Sequence, residues 1–392
     1  MRILMVTRET QADKRYGLGR SLAPLLAEFK HRGIDAELIC QTDLTARAVL
    51  WQGKLQRLAQ RLFGRFSGQT DFAVLSWVLL ERFNMGRLAA KMCARQGYTH
   101  IHCHDPIIAA AYRFFSCLSF SPKARWGLTE HGFGSYTQAI HADGVRLGPR
   151  ALVLLCRWEA RTLARANWVV IPSHSAAGQL AQELGYAKAP DNWQVIYHAR
   201  PTVNRYNKQE ARRLLNWTDG VFYLLSVGRI APVKQFPLLI EACAKVANGE
   251  ALQLVILGEG DQQALQTLAK QLNLQRGIQF ACTDDIGLYL SAADLYVSTS
   301  ASESFGLANL EAMTAGVAAL CTAVGAVPEI VDGGGLLVDS NVDAISTALR
   351  HLMTDNDARQ NLAERGLQRA QSWPDQKTIA DQYEKIYQAI NQ

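Results

Sequence analysis

The chain has 392 residues, 48% of them hydrophobic and 19% charged, which is long enough for two cores and too apolar for a disordered chain. Lysine and arginine (41) exceed aspartate and glutamate (35), giving a net charge of +6 that suits phosphate ligands or an anionic surface but is too diffuse to argue for nucleic acid. Eight cysteines stand singly with no C-x-x-C pair, the usage of buried free thiols in a reducing compartment, so a cytosolic protein is expected.

From the start of the chain, Arg2 to Thr7 reads as a first strand, interrupted by charge too soon for a signal peptide. Leu18 to Arg32 follows with helical spacing (Leu22, Leu25, Leu26, Phe29) and Gly33 as its stop, and Ala36 to Cys40 is the next strand. Between them, Tyr16-Gly17-Leu18-Gly19-Arg20 is either a glycine loop facing a phosphate or a plain turn. It is not a dinucleotide fingerprint, because Leu22 stands where the third glycine belongs and Gly17 lies too far beyond Thr7.

Arg47 to Phe66 sets Trp51, Leu55, Leu58, Leu62 and Phe66 on one helical face beside a basic stripe of Lys54, Arg57, Arg61 and Arg65. Two readings stay open. The helix can lie on an anionic bilayer, each basic residue adding about 1 kcal/mol near the surface, or it can pack its apolar stripe on its own domain with a solvated basic rim. The longest apolar runs, Ala73 to Leu80, Ile107 to Tyr112 and Ala151 to Cys156, are far shorter than the roughly 18 residues of a spanning helix.

Leu75 to Arg95 reads as a long helix and Ile101 to Cys103 as a strand ending in His104-Asp105-Pro106. Alternation puts His100, His102 and His104 on one strand face, a pattern shared by metal pairs and by hydrogen-bonded structural histidines, and no third ligand is fixed by spacing. No metal site is expected. Ile107 to Cys117 looks helical, and strand Trp126 to Thr129 ends in Glu130-His131-Gly132. His131 there is a structural turn residue or lies where open α/β sheets place their ligands. Helix Arg150 to Arg165, strand Trp168 to Ile171, a helix capped by Ser173 and strand Gln194 to Tyr197 complete the first half. The periodicity breaks over 200–204, which divides a domain of residues 1–200 from one of 201–373.

The second half restarts the alternation of strand and helix, beginning with Phe222 to Val227 and ending with Ala318 to Cys321, so each half is predicted to be a doubly wound parallel α/β sheet with a cleft between the two. Val342 to Leu352, Ala358 to Gln371 and Gln376 to Ile390 are terminal helices, and residues 374–392 can return to the first domain.

The chemistry is densest in Val297 to Glu311, V-S-T-S-A-S-E-S-F-G-L-A-N-L-E. A strand leads into a polar loop with Glu303, and Phe305 and Gly306 open a helix that carries Glu311. Unpaired N–H groups in the first turn of a helix seat a phosphate, and a glycine lets it approach. Two acids beside such a seat would repel the phosphate, so sugar hydroxyls on either side are the better targets. Arg229 and Lys234, five residues apart at the end of another strand, can clamp a diphosphate.

Together with Leu257-Gly258-Glu259-Gly260 and Gly325-Ala326-Val327-Pro328-Glu329-Ile330-Val331, this pattern resembles the retaining glycosyltransferases of family 4, the group 1 glycosyltransferases, densely from Ser226 to Asp339 and more loosely over residues 1–200. The resemblance implies the GT-B fold of two Rossmann-like domains. It assigns Arg229 and Lys234 to the donor diphosphate and Glu311 to the ribose. Glu303 and the backbone of Phe305, Gly306 and Leu307 are assigned to the donor hexose and its phosphate. Gly17 and Gly19 are assigned to the donor phosphates, His131 to the transferred sugar, and the Cys282 to Ile286 segment with Thr283 to the base. Gly-Leu-Gly and His198-Ala199-Arg200 depart from the family pattern.

The expected function is metal-independent transfer of a hexosyl group from a nucleotide-diphosphate sugar to a glycan or lipid-linked acceptor in cell-surface polysaccharide or lipopolysaccharide synthesis, with no nucleic acid bound. A nucleotide-sugar epimerase and a non-catalytic sugar-nucleotide binding protein are the alternatives. The spacing of Glu303 and Glu311 disfavours the first, and retention of Arg229, Lys234 and both glutamates disfavours the second.

Overall fold

In a computed structural model, the chain divides into two compact units, Met1–His198 with Gln376–Gln392, and Ala199–Asp375. The residues described are 1–9, 17–63, 71–118, 124–142, 145–247, 251–274 and 277–389.

The first unit runs β1 (Arg2–Val6), α1 (Gly17–His31), β2 (Asp35–Ile39), α2 (Ala46–Phe63), α3 (Phe72–Gln96), β3 (His100–Cys103), α4 (Pro106–Cys117), β4 (Arg125–Thr129), α5 (Tyr136–Ala142), α6 (Pro149–Arg165), β5 (Val169–Ile171), α7 (His174–Glu183) and β6 (Trp193–Val195). The second runs α8 (Lys208–Leu214), β7 (Phe222–Val227), α9 (Phe236–Val246), β8 (Leu252–Leu257), α10 (Gln263–Gln271), β9 (Ile278–Ala281), α11 (Ile286–Ala292), β10 (Leu295–Ser298), α12 (Leu307–Ala315), β11 (Ala319–Thr322), α13 (Val327–Val331), β12 (Leu336–Val338), α14 (Val342–Thr354) and α15 (Asn356–Gln371). The last helix, α16 (Gln376–Ala389), belongs to the first unit.

The first sheet has the order β2-β1-β3-β4-β5-β6, all parallel. Ile3 to Val6 are fully buried because helices cover both faces, which is why the strand reads as continuously apolar. Gly127 on β4 has no alternative residue, since a Cβ there would come within 2.3 Å of the Trp168 ring. Gly86 likewise lets α3 close on α4, where a Cβ would meet Ala111 at 2.5 Å.

Helix α16 docks on α1 through the Phe29 and Tyr387 rings and an Arg32–Asp381 ion pair. Tyr387 explains the histidine strand. Its carbonyl lies 3.0 Å from His100 Nε2, and its hydroxyl lies 2.7 Å from His102 Nδ1. The Trp168 indole, which can only donate, also reaches His102 Nδ1 (3.3 Å), so that nitrogen is an acceptor and His102 Nε2 donates to Thr129 Oγ1 (2.7 Å). Burial pushes the His102 pKa down to about 3, which keeps the ring neutral. The H-x-H pair is therefore engaged in core hydrogen bonds. No group of three or more His, Cys, Asp or Glu side chains among the described residues is arranged to hold a metal ion.

The second sheet has the order β12-β11-β10-β7-β8-β9, again all parallel. The chain leaves β7 on one side for β8 and β9, then crosses to β10 on the other. The carboxyl ends of β7 and β10 are thus the point where the winding reverses, the place where such sheets receive ligands.

Several expectations change. Gly17 and Gly19 lie in the first turn of α1 and not in a loop, and residues 10–16 before them are outside the described residues. The last strand of the first unit is Trp193–Val195, shorter than 194–197 and one residue earlier. Helices α5, α8 and α13 are only five to seven residues long, too short for an apolar period to reveal them. Cys117 and Cys282 are exposed and Cys156 is partly so, because they sit at a helix end, in a loop and on an outer helix; the other five are buried, and all eight are free.

The largest correction concerns α2. Its apolar stripe does not pack on the unit: Leu50 is 64% exposed, Trp51 55% and Leu62 54%, and Leu55 and Leu58 are also exposed. The inward side is instead small and polar, with Ala59 buried and Gln52 accepting a hydrogen bond from Asn84 of α3 (2.8 Å). Arg65 and Phe66 lie outside the described residues. No helix among the described residues is long and apolar enough to cross a membrane.

Candidate active site

Strand β7 ends at Val227, and Gly228 turns the chain with φ +155°. The loops after β7 and β8 touch backbone to backbone. A Cβ on Gly258 would lie 2.0 Å from the Gly228 carbonyl oxygen, and Ile230 N donates to Glu259 O at 2.7 Å. The glycines of Leu257-Gly258-Glu259-Gly260 therefore serve loop packing. Arg229 projects from this turn and is exposed.

A 3₁₀ turn over Pro232–Lys234 follows, and the Lys234 stem lies across Gly228, where a Cβ would meet its Cε at 2.8 Å. The loop after β10 is tied to this turn: Ala301 N donates to Val233 O (2.7 Å), and Thr299 Oγ1 donates to Lys234 O (3.1 Å). The tie brings Lys234 Nζ to 2.5 Å from Glu303 Oε1, an ion pair across 69 positions of sequence.

Glu303 is held at both ends. Its carbonyl accepts from Ala326 N (2.9 Å), an approach that needs Gly325, where a Cβ would lie 2.3 Å from that oxygen. Its carboxylate Oε1 also accepts from Ser300 Oγ at 2.8 Å. The Ser300 carbonyl in turn accepts from Thr322 Oγ1 on β11 (2.8 Å).

Gly306 caps α12 in the left-handed conformation, φ +83°. Phe305 before it is buried edge-on against Trp373, with ring centroids 5.7 Å apart, which anchors the start of the helix. Leu307 is the first helical residue, so its N–H belongs to the turn that lacks intrahelical partners. Glu311 lies on α12 and is 4% exposed. One end of the second sheet thus collects Arg229, Lys234, Glu303, Phe305, Gly306 and Leu307, with Glu311 farther along the same helix. Thr283 lies in the loop after edge strand β9, and its hydroxyl accepts from Asp285 N at 3.0 Å, a turn within its own loop.

In the first unit, His131 follows β4. Its Nε2 lies 2.9 Å from His104 Nδ1, and its ring is parallel to that of His198 with centroids 6.3 Å apart. Burial, then mutual repulsion with its histidine neighbours, holds the pKa of His131 and of His104 well below the ordinary value, and burial lowers His198 to about 4. The direction of the shift favours the uncharged ring of His131. Glu130 beside it is pushed well above the carboxylate range by burial and by Glu159 and Asp105. Ser300 and Thr299 are neighbours of the Lys234–Glu303 pair that the spacing of motifs did not single out, and His104, read from alternation as one of a strand-face trio, lies against His131 instead. Ser300 stands inside the quoted V-S-T-S stretch, but its partner is set by the loop's fold.

Residues 207–369 match the family model described as glycosyl transferases group 1. A D-inositol 3-phosphate glycosyltransferase of Salinispora arenicola is 27% identical over an alignment of 338 residues that covers 79% of this chain and 73% of that protein. Among solved structures, sucrose-phosphate synthase from Thermosynechococcus elongatus superposes with a TM-score of 0.77 at 18% identity, covering 100% of this chain and 99% of that one. HepE of Anabaena in complex with UDP and glucose superposes with a TM-score of 0.69 at 16% identity, covering 99% and 100%. With two parallel six-stranded sheets, each wound with helices, the chain has the GT-B fold, and residues 207–369, where the motifs gather at the end of the second sheet, match the group 1 glycosyltransferases.

Proposed function

We propose that the chain is a retaining glycosyltransferase that moves a hexosyl group from a nucleotide-diphosphate sugar to a glycan or glycolipid acceptor in cell-surface polysaccharide or lipopolysaccharide synthesis. The observation that carries this reading is the meeting of Lys234 with Glu303 where the second sheet reverses its winding, beside the N-terminus of α12.

Breaking the bond between sugar and diphosphate develops positive charge at the anomeric carbon and negative charge on the departing phosphate. Arg229, Lys234 and the first turn of α12 supply fixed positive charge for that phosphate, so the reaction needs no metal in this reading. Glu303 takes hexose hydroxyls and Glu311 takes the ribose. The family resemblance adds His131 as a contact to the transferred sugar, and the lowering of its pKa by burial favours an uncharged ring for that role. Double displacement through Glu303 is disfavoured, because in this reading its carboxylate is taken by donor hydroxyls and the Arg229 and Lys234 pair implies a phosphate leaving group. Retention then proceeds by front-face attack, with the departing phosphate taking the acceptor's proton.

A panel of sugar nucleotides tests the donor side. A true donor at 100 times its Kd should raise stability by about 2.7 kcal/mol, read as a shift in Tm. Glu311→Ala should weaken that donor by about 10-fold or more, the loss of a charged hydrogen-bonding partner. Equal affinity in the variant would refute the ribose role, and binding without transfer to any acceptor would favour the non-catalytic alternative.

The outward stripe of α2 supports a second element of the reading, contact with an anionic membrane. Leu50, Trp51, Leu58 and Leu62 are exposed beside Lys54, Arg57 and Arg61, the arrangement of a helix that lies in a bilayer surface. Vesicles rich in anionic lipid should carry the protein upward in a flotation gradient. Changing Arg57 and Arg61 to Gln should weaken retention by about 2 kcal/mol, or some 30-fold. Wild-type protein that stays at the bottom of the gradient ends this part of the reading.

A further inference from the structure

We propose that Ser300 is a positioning residue of the donor seat: its hydroxyl holds the Glu303 carboxylate in place when Lys234 turns to a phosphate. This rests on the donor reading above and extends it to a side chain that the family resemblance leaves unassigned.

Ser300 is 1% exposed and fixed in its main chain, because its carbonyl accepts from Thr322 and the residues on either side are bonded to the turn that carries Lys234. Its Oγ and the Lys234 ammonium converge on one oxygen, Glu303 Oε1, at 2.8 and 2.5 Å. The two donors differ in kind. Lys234 is a charged group on a flexible stem, and it leaves for whichever anion offers more charge. A diphosphate offers more than one carboxylate. Ser300 is short, buried and fixed, so it remains.

The consequence is an exchange within the seat. Before a diphosphate arrives, Lys234 and Glu303 neutralise each other. When a diphosphate takes Lys234, the carboxylate loses its cation and would follow the ammonium, out of register with a sugar. The Ser300 hydroxyl is a donor to Glu303 that has no reason to move. It should therefore matter for the sugar half of the donor and not for the diphosphate half.

The experiment uses the full chain, the sugar nucleotide with the largest thermal shift in the panel, and its parent nucleoside diphosphate. The ratio of their two Kd values measures what the sugar contributes. Ser300→Ala should lower that contribution by about tenfold, the worth of a hydrogen bond to a charged group, while the nucleoside diphosphate itself binds within about twofold of wild type. Ser300→Thr, which keeps the hydroxyl, should restore it. In a Glu303→Ala background, Ser300→Ala should change the ratio no further, since the two effects share one carboxylate. Ser300→Cys, similar in shape but a weak donor, is read in the same way should the alanine variant not fold.

An unchanged ratio in Ser300→Ala overturns the proposal. So does the same loss in both backgrounds, or parallel weakening of both ligands with a lower Tm, which is what a merely structural serine would give. A wild-type ratio in Glu303→Ala has a different meaning: it sinks the donor reading of Glu303 itself, and the role of Ser300 with it.

Discussion

Lys234→Ala is expected to lower turnover by about 10²- to 10³-fold, the cost of removing one preorganised charge from a developing anion. The lysine is aimed by its surroundings. Its stem lies over Gly228, its carbonyl accepts from Thr299, and its ammonium rests on Glu303. In the proposed reaction the departing diphosphate gains negative charge as the sugar bond breaks, so the contact strengthens toward the transition state and its loss falls mainly on kcat. Lys234→Arg should recover only part of the rate, because a planar fork cannot occupy the point-charge position over Gly228. Steady-state kinetics with saturating donor decide the matter. A variant with wild-type kcat would remove Lys234 from the mechanism, and with it the reading of the ion pair as a donor seat.

The second large effect is on stability. Tyr387→Ala should destabilise the first unit by about 3–5 kcal/mol, the range for deleting a fully buried aromatic side chain. Tyr387 packs among Phe29, His100, His102 and Trp168, and its hydroxyl reaches His102 Nδ1. Truncation leaves a cavity. Tyr387→Phe separates the contributions, keeping the ring and removing only the hydroxyl, at about 0.5–1.5 kcal/mol. The indole of Trp168 still donates to His102 in that variant, which is why the smaller figure applies. Denaturant unfolding followed by a probe in the first unit measures both. Equal midpoints for Tyr387→Ala and wild type would show that α16 does not anchor the unit.

Much of the fold was legible in the chain because parallel α/β structure writes itself locally. Continuous apolar strands alternate with amphipathic helices, and the ends of those helices carry recognisable caps such as Ser173. The residues of the candidate site were legible for a related reason. Arg229, Lys234, Glu303 and Gly306 sit in the turns after strands or at a helix start, and Glu311 one turn into that helix, where spacing along the chain already sets the local geometry.

What the sequence determined by itself was therefore the identity of the elements, the doubly wound class and the residue types at the strand ends. Tertiary structure alone decided who meets whom. Spacing gives Glu303 no partner until the loop after β10 is tied to the turn at Val233, and it leaves His102 open between a metal pair and a structural histidine until Tyr387 arrives from 285 positions away. Helix α2 shows the same limit in reverse: periodicity places its leucines on one face, but only packing against α3 determines that the opposite, polar face turns inward. The physical reason is that backbone period and capping depend on neighbours a few residues away, whereas burial, ion pairing and tautomer depend on groups that the chain brings together only after it has folded.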